Sequence, residues 1–327
     1  MQSSTVQLTS HSGWGSRIGW GAVLAALPGV ALLAWFLIRP LGRLVGDSFH
    51  RTSDGSLTLD NYRAIIENDG LRSSLVTTVL LSVAVTAITL LVCTPAALTL
   101  ARSGPRVSAL VDAILVFPLA FPGIVIGFFV IVLLGRNGLV SQLIEALTGE
   151  PGGRWAYTAG GLAAAYVYFC IPRVIGTLRA AATTLDPDLT VVAASLGARP
   201  ARVAATVTLP LLRGPLLSAA GVCMATCLGA YGTAATLSEG IRVLPLDVAD
   251  ALYTRGDQGS AAAISVTLAV LAIASLVLCT AAARAVSRRG PRVELGAGLV
   301  PATPSTPATP ATPATPATPA STAGAIR

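Results

Sequence analysis

The chain has 327 residues, of which 53% are apolar and only 11% are charged, and its mean hydropathy is +0.73. Soluble domains carry about 25% charged residues, so this composition excludes a disordered chain, a collagen and an ordinary soluble enzyme. An integral membrane protein remains. The net charge is +7, and all 22 basic residues are arginine. The arginines are scattered in the loops between apolar runs and do not form a clustered basic stripe, so we expect no nucleic-acid partner.

Six apolar stretches are long enough to cross a bilayer as helices, which takes about 20 residues each. They lie near 19–41, 74–100, 108–134, 156–178, 214–237 and 259–284. The first follows Arg17 and runs too long for a signal peptide, so it is interpreted as a retained helix. The predicted fold class is an all-α membrane protein with six transmembrane helices.

Arginine placement predicts the orientation. With the N-terminus in the cytoplasm, most arginines fall on the inner side, including the cluster Arg284–Arg292 after the last helix. The expected organisation is a cytoplasmic segment over 1–18, a six-helix membrane domain over 19–284 and a cytoplasmic tail over 285–327. The tail repeats proline, alanine and threonine, a composition that favours polyproline II over a packed core. Both termini are therefore predicted to be cytoplasmic.

The cysteines and histidines give no sign of catalysis. All five cysteines lie in apolar segments without zinc spacing, and Cys223 and Cys227 share one helical face, as small buried residues do. His11 and His50 have no serine or cysteine partner in context, so no nucleophile and base can be paired. We expect a membrane protein without catalytic residues, metal ligands or a cofactor of its own.

The most informative segment is the predicted cytoplasmic loop between the fourth and fifth apolar stretches. Asp186 and the proline after it suit the start of a helix, which continues over Asp188–Leu196. Gly197 then supplies a left-handed C-cap, and Pro200 can open a second short helix that ends before Pro210. The pattern predicts a helix–glycine–helix elbow on the cytoplasmic face.

The elbow has two predicted faces. Arg199 and Arg202 lie on the exposed face. The buried face carries Val191, Ala194, Leu196, Val203 and Val207. A short rigid elbow of this kind suits docking into a groove of a partner protein. An ordinary interfacial helix between two membrane spans is the alternative.

This loop, about 183–213, resembles the cytoplasmic signature of binding-protein-dependent ABC importer permeases. That signature reads Glu-Ala-Ala, three residues, Gly, nine residues, Ile, any residue and Leu-Pro. Here Val191-Val192-Ala193 stand at the Glu-Ala-Ala positions, Gly197 at the glycine, Val207 at the isoleucine and Leu209-Pro210 at the end. Val191 replaces the family glutamate, and either Asp186 or Asp188 could supply the missing charge.

Three further motifs extend the resemblance. Leu59–Tyr62 is similar to the Leu-x-Asn-Tyr found before the second helix, and Pro118–Gly123 to a proline-rich third helix of such permeases. Tyr231–Ala234 followed by Val243–Leu246 resembles permeases of the group that imports polyamines, ferric iron, and phosphonate or sulfate. The resemblance therefore covers most of the chain.

The resemblance implies a type I ABC importer permease fold in the cell inner membrane, forming half of a translocation path. It implies three partners: a cytoplasmic ABC ATPase that holds the ATP, a second permease subunit, identical or paralogous, and an extracytoplasmic solute-binding protein. It also implies that the loop couples to the ATPase. The coupling residues would be Asp186, Asp188, Val191, Ala193, Gly197, Arg199, Arg202, Val207, Leu209 and Pro210.

The path itself is expected among helices three to six. Pro118 and Pro122 predict a kink in one membrane helix, either at a gate or for packing. Tyr231, Gly232 and Thr233 could face a passing solute, although small residues in this helix also suit helix packing.

Two rival functions, an ion-coupled secondary transporter and a membrane-embedded enzyme, need intramembrane ionisable or catalytic groups. The helix centres carry few such groups. Asp112, near a helix start, is expected to pair with an arginine such as Arg106.

Overall fold

The computed structural model describes residues 20–149, 153–185 and 187–289. In these ranges the regular structure is helical, and the extended pairing is a single bridge between His50 and Leu57. Five helices are long and apolar enough to cross a membrane, or six if one bent pair counts as a span. The predicted all-α, multi-pass membrane fold is confirmed. The predicted segment 1–18 and most of the predicted tail lie outside the described residues.

The first half of the bundle begins with three helices: α1 (Trp20–Ser48), α2 (Asp60–Glu67) and α3 (Asp69–Ala101). Asn68 separates α2 from α3, and its side chain accepts hydrogen bonds from the backbone N–H groups of Gly70 and Leu71. This cap satisfies two of the four N–H groups that a helix start leaves without partners. Both α1 and α3 are longer than the apolar stretches that predicted them.

The third apolar stretch forms two helices, α4 (Pro105–Ala120) and α5 (Gly123–Leu134), followed by α6 (Leu139–Thr148). The prediction of one kinked helix over 108–134 is therefore wrong. Phe121 precedes a proline, which disfavours helical backbone, and it is extended with φ −100° and ψ 137°. The candidate membrane span of this region is Gly123–Thr148, so α4 precedes it as a separate helix.

The fourth stretch is a single helix, α7 (Ala159–Ala182), preceded by a 3₁₀ turn at Trp155–Tyr157. The elbow follows as α8 (Pro187–Ser195), α9 (Pro200–Val203), a π turn (Ala204–Thr208) and α10 (Leu209–Leu211). The second elbow helix does not end before Pro210 as predicted. Pro210 lies in the first turn of α10, where its missing N–H costs little, so the helical backbone continues.

The last third contains α11 (Arg213–Leu228), α12 (Tyr231–Leu237), α13 (Leu244–Ala249), a π turn (Asp250–Thr254) and α14 (Gln258–Arg289). The fifth predicted span, 214–237, is thus also broken, at Gly229 and Ala230. Residues 285–289, assigned to the tail by the sequence, continue α14.

The core lies where α3, α7 and α11 meet, and α14 packs along α11 while α1 packs on α14. Three buried polar residues of α3 satisfy their hydroxyls locally. Thr78, Ser82 and Thr89 each donate to the carbonyl four residues earlier at 2.7 Å. Such bonds keep hydroxyls from remaining unpaired in an apolar interior.

Candidate functional site

The elbow is held at Gly197 by a left-handed turn. Gly197 has φ +78°, the backbone predicted for it. Its N–H donates to Ala194 O at 2.9 Å, and the N–H of Ala198 donates to Ala193 O at 3.2 Å. These two bonds form a Schellman motif that closes α8. No atom lies within 4 Å of a Cβ built at Gly197, so the glycine is needed for its φ and not for space.

The elbow surface is mixed apolar and basic. Arg199 and Arg202 are exposed. Leu196 is 84% exposed and Ala194 is exposed as well, so the predicted buried face is wrong for these two residues. The reason is that, among the described residues, α8 packs mainly against α9 and the π turn. Val203 does face inward and is buried.

The remaining predicted coupling residues are distributed along the same segment. Asp188 lies in the first turn of α8, where the helix dipole stabilises a carboxylate. Ala193, Val207 and Pro210 are half-buried, and Leu209 is 38% exposed. Val191 lies within α8, and its side chain and all of Asp186 fall outside the described residues.

A second candidate site forms where the two broken spans meet. Pro122 caps α5, and the first turns of α5 and α12 are in contact. Thr233 Oγ1 donates to Gly123 O at 3.2 Å. A Cβ on Gly232 would lie 3.0 Å from the backbone nitrogen of Ile124. The structure therefore brings together Pro122, Gly232 and Thr233, three of the five predicted path residues.

One turn further, α5 and α12 approach even more closely. A Cβ built on Gly127 would lie 1.7 Å from Thr236 Oγ1 and 2.8 Å from Thr236 Cβ. Thr236 Oγ1 is fixed there, since it donates to Thr233 O at 2.9 Å. Glycine at position 127 is thus required for this helix contact.

The break after α11 is supported by a residue that the sequence analysis missed. The hydroxyl of Tyr166, on α7, donates to Ala230 O at 3.0 Å and satisfies a carbonyl that the break frees. Tyr231 follows the break and lines a cleft of about 330 Å³ together with Tyr253 and Ser265. No local sequence pattern points to Tyr166, because its partner is distant in sequence.

Pro118 lies apart from this group. It is buried in α4 and borders an apolar cleft of about 540 Å³ that Tyr168 and Ile171 also line. Three phenyl rings surround the break between α4 and α5: Phe117 and Phe121 have centroids 4.5 Å apart, and Phe129 lies 5.7 Å from Phe121. The break is therefore enclosed by aromatic side chains on one side.

Two arginines of α7 differ in their partners. Arg179 forms an ion pair with Asp112 of α4 and also donates to Ser108 Oγ. The expected pairing of Asp112 with an arginine is found, but the partner is Arg179 and not Arg106, because α7 packs beside α4. Arg173 donates to Phe169 O at 2.8 Å, and its guanidinium lies 4.3 Å from the Phe169 ring centroid.

The Asn-Tyr motif ties three helices together at the end opposite the elbow. Asn61 Nδ2 donates to Ser48 O at 3.1 Å and to His50 O at 3.0 Å, and the hydroxyls of Tyr62 and Ser48 lie 2.8 Å apart. The N–H at the start of α14 joins this group, with Gly259 donating to Thr52 Oγ1 at 2.9 Å. The motif is thus structural, holding the ends of α1, α2 and α14.

An acidic residue in the same region has a lowered pKa. Hydrogen bonds from Thr58 and Arg51 hold the pKa of Asp60 below its ordinary value of 3.8. Asp60 also begins α2, where a negative charge is favoured by the helix dipole. Asp60 is therefore ionised at neutral pH and contributes to holding the loop before α2.

Comparison with known proteins agrees with this geometry. The family model described as "Binding-protein-dependent transport system inner membrane component" matches residues 93–292. The molybdenum transport system permease protein ModB of Mycobacterium bovis is 32% identical over 225 residues, covering 68% of this chain and 82% of the relative. ModB of Escherichia coli K12 is 29% identical over 188 residues, covering 56% of this chain and 81% of the relative.

Solved structures share the fold at low identity. A bacterial ABC transporter involved in the import of the acidic polysaccharide alginate has a chain that superposes with a TM-score of 0.67 at 16% identity. The superposition covers 81% of this chain and 96% of that chain. A second structure of an alginate transporter, in complex with a periplasmic protein bound to an alginate pentasaccharide, gives a TM-score of 0.68.

Proposed function

Because the chain belongs to the inner membrane components of binding-protein-dependent transport systems, we propose that it is half of the path of an ATP-driven importer for a molybdenum oxyanion. The 32% identity to a permease named for molybdenum transport, over 68% of this chain, carries this proposal. The solute group expected from the sequence (polyamines, ferric iron, and phosphonate or sulfate) did not include molybdenum, so the proposed solute departs from that expectation.

The charge around the helix breaks supports an anion. Among the described residues, α5 and α12 contain no acidic side chain. A path for polyamines or ferric iron would gain from carboxylates along these helices, whereas an anion would be repelled by them. Tyr231 borders the cleft beside the break, and the N-terminal end of α5, which packs against α12, carries a partial positive charge. These groups suit a small oxyanion.

The elbow is the proposed docking site for the ATPase. Leu196 and Val192 are 84% and 59% exposed beside Arg199 and Arg202. An apolar patch flanked by guanidinium groups suits a groove with apolar walls and an acidic rim. The left-handed turn at Gly197 would transmit movement of the ATPase to α7 and α11, which flank the elbow. ATP would be bound and hydrolysed on that partner.

The remaining partners follow from the family. A second permease subunit, identical or paralogous, would complete the path, and a solute-binding protein would dock at the end of the bundle opposite the elbow. The alginate transporter structure with its periplasmic protein is a precedent for such docking. The chain would lie in the inner membrane with both termini in the cytoplasm.

Uptake of labelled molybdate by cells that lack their own molybdenum permease tests the solute. The chain, expressed with its ATPase and binding protein, should restore uptake that excess tungstate suppresses and that excess thiamine and spermidine leave intact. Thiamine is a necessary competitor, because the thiamine permease ThiP of Brucella suis is 30% identical over 49% of this chain. Uptake of thiamine or spermidine in place of molybdate would overturn the oxyanion assignment.

A further inference from the structure

Three cysteine sulfurs meet in the centre of the helix bundle. Cys170 is on α7, and Cys223 and Cys227 lie one turn apart on α11. The sulfurs of Cys170 and Cys227 are 3.6 Å apart, and the three sulfurs all lie within 4.8 Å of one another. All three residues are at most 1% exposed. The proposed import function assigns no role to this cluster.

Two threonines of α3 lie beside the cluster, since the side chains of Thr86 and Thr89 interact with Cys223. Thr89 also donates to Val85 O, but the buried hydroxyl of Thr86 has no conventional hydrogen-bond partner among the described residues. A hydroxyl left in this position can donate to a thiolate, which is a better acceptor than a thiol.

We propose that Cys170, Cys223 and Cys227 form a binding site for a soft monovalent metal ion, Cu(I). Metal–sulfur bonds of about 2.3 Å in a planar three-sulfur site place the sulfurs about 4 Å apart, close to the spacing found here. Sulfur ligands select Cu(I) over the hard cations that prefer oxygen. The Thr86 hydroxyl would donate to the Cys223 thiolate that binds the metal.

Entry of the metal exchanges protons for the ion. When Cu⁺ enters, the thiols that bind it lose their protons to solvent, and the resulting thiolates form the sulfur–copper bonds, because thiolates and not thiols are metal ligands. No oxidation or reduction takes place.

Bound metal would link the two helices that flank the elbow. Since α7 leads into the elbow and α11 leads out of it, a bridge from Cys170 to Cys223 and Cys227 opposes any sliding of these helices. Alternation between two states needs such movement. We therefore expect Cu(I) to slow transport by the wild-type complex and to leave a cysteine-cluster variant active.

Copper competition and X-ray absorption test the site in the full-length chain, purified with its ATPase under anaerobic conditions. Cu(I) is offered as its bathocuproine disulfonate complex, and the copper that the protein withdraws is measured. The wild type should retain about one ion per chain, and its absorption spectrum should fit about three sulfur neighbours. Cys279→Ala on α14 is the matched control, because Cys279 lies outside the cluster.

The variants Cys170→Ser and Cys227→Ser change single atoms and should each weaken copper binding at least about tenfold, since losing even an outer-shell partner of a metal ligand costs about 10–100-fold. Cys279→Ala should bind as the wild type does. Retention of copper by both serine variants at the wild-type level would overturn the site. So would a wild-type spectrum dominated by nitrogen or oxygen neighbours, a result that needs no variant to fold. Neither measurement depends on which solute is imported.

Discussion

Replacement of Gly127 by alanine tests the contact between the two broken spans. The added Cβ would lie 1.7 Å from Thr236 Oγ1 and 2.8 Å from Thr236 Cβ. Rotation of the Thr236 side chain removes the first contact but breaks the hydrogen bond to Thr233 O. The second contact remains, so α5 and α12 must also separate.

The expected loss of stability in Gly127→Ala is the sum of the steric overlap and the lost hydrogen bond. Overpacking of this kind costs about 1–3 kcal/mol, and the lost hydrogen bond about 0.5–1.5 kcal/mol. Alanine stabilises a helix by roughly 1 kcal/mol relative to glycine. Gly176→Ala on α7 has the same helical gain, and no atom lies within 4 Å of its added Cβ, so it is the matched control. The two variants should differ by about 2–4 kcal/mol in stability.

Thermal unfolding of both variants in one detergent measures this difference. With about 2–4 °C per kcal/mol, Gly127→Ala should melt at least roughly 4 °C below Gly176→Ala. Adding Thr236→Gly to Gly127→Ala removes both contacts, so the double variant should lose less stability than the sum of the two single losses, the signature of two residues in contact. Equal melting temperatures for Gly127→Ala and Gly176→Ala would refute the close approach of α5 and α12.

Three further predictions concern other parts of the chain. Gly197→Ala should destabilise the left-handed turn by about 1–2 kcal/mol and raise the number of ATP molecules hydrolysed per solute imported. Gly197→Asn should change this ratio less. Equal ratios for Gly197→Ala and the wild type would contradict the coupling role of the elbow. Asp112→Ala removes the partner of Arg179 and should lower the stability by about 1 kcal/mol or less, because the ion pair is half-exposed. Its melting temperature should fall accordingly, and that of Arg106→Ala should not. A lower melting temperature for Arg106→Ala than for Asp112→Ala would count against this ion pair. Because the pKa of Asp60 is lowered in the folded state, its carboxylate stabilises the fold above pH 3.8, and this stabilisation is lost as the pH falls through the pKa of the folded state. Asp60→Asn should therefore lose less stability than the wild type between pH 5 and pH 2. An equal loss would show that other groups dominate.

The sequence was sufficient where the signal is local. Apolar runs of about 20 residues locate the membrane spans, and a glycine after a helical run locates the left-handed turn at Gly197. Both depend on a few adjacent residues, so no knowledge of the neighbouring helices is needed.

The helix breaks were missed because hydropathy counts apolar residues and does not follow backbone hydrogen bonds. Phe121 and Ala230 are apolar and extend their runs, yet both have non-helical backbone. The break at Ala230 is stable because the hydroxyl of Tyr166, 64 residues away on another helix, donates a hydrogen bond to the carbonyl of Ala230. This contact arises from the packing of α7 against α11, so no pattern in the nearby sequence predicts it.

Side-chain partners across helices were the least predictable feature. Asp112 pairs with Arg179 and not with the nearby Arg106, because helix packing outweighs proximity in sequence. Leu196 is exposed although its apolar side chain suggested burial. In a chain that is proposed to dock on an ATPase, an exposed leucine is expected at the interface, and sequence hydrophobicity does not distinguish this from a core position.

ATP-driven uptake in proteoliposomes tests the proposed transport mechanism most directly. The chain is reconstituted with its ATPase and, if required, its second permease subunit, with the binding protein and labelled molybdate on the opposite side of the membrane from ATP. We predict accumulation that requires both ATP and the binding protein, and that stops when a non-hydrolysable analogue replaces ATP. Accumulation without ATP, driven by a proton or sodium gradient, would contradict the account and favour a secondary transporter.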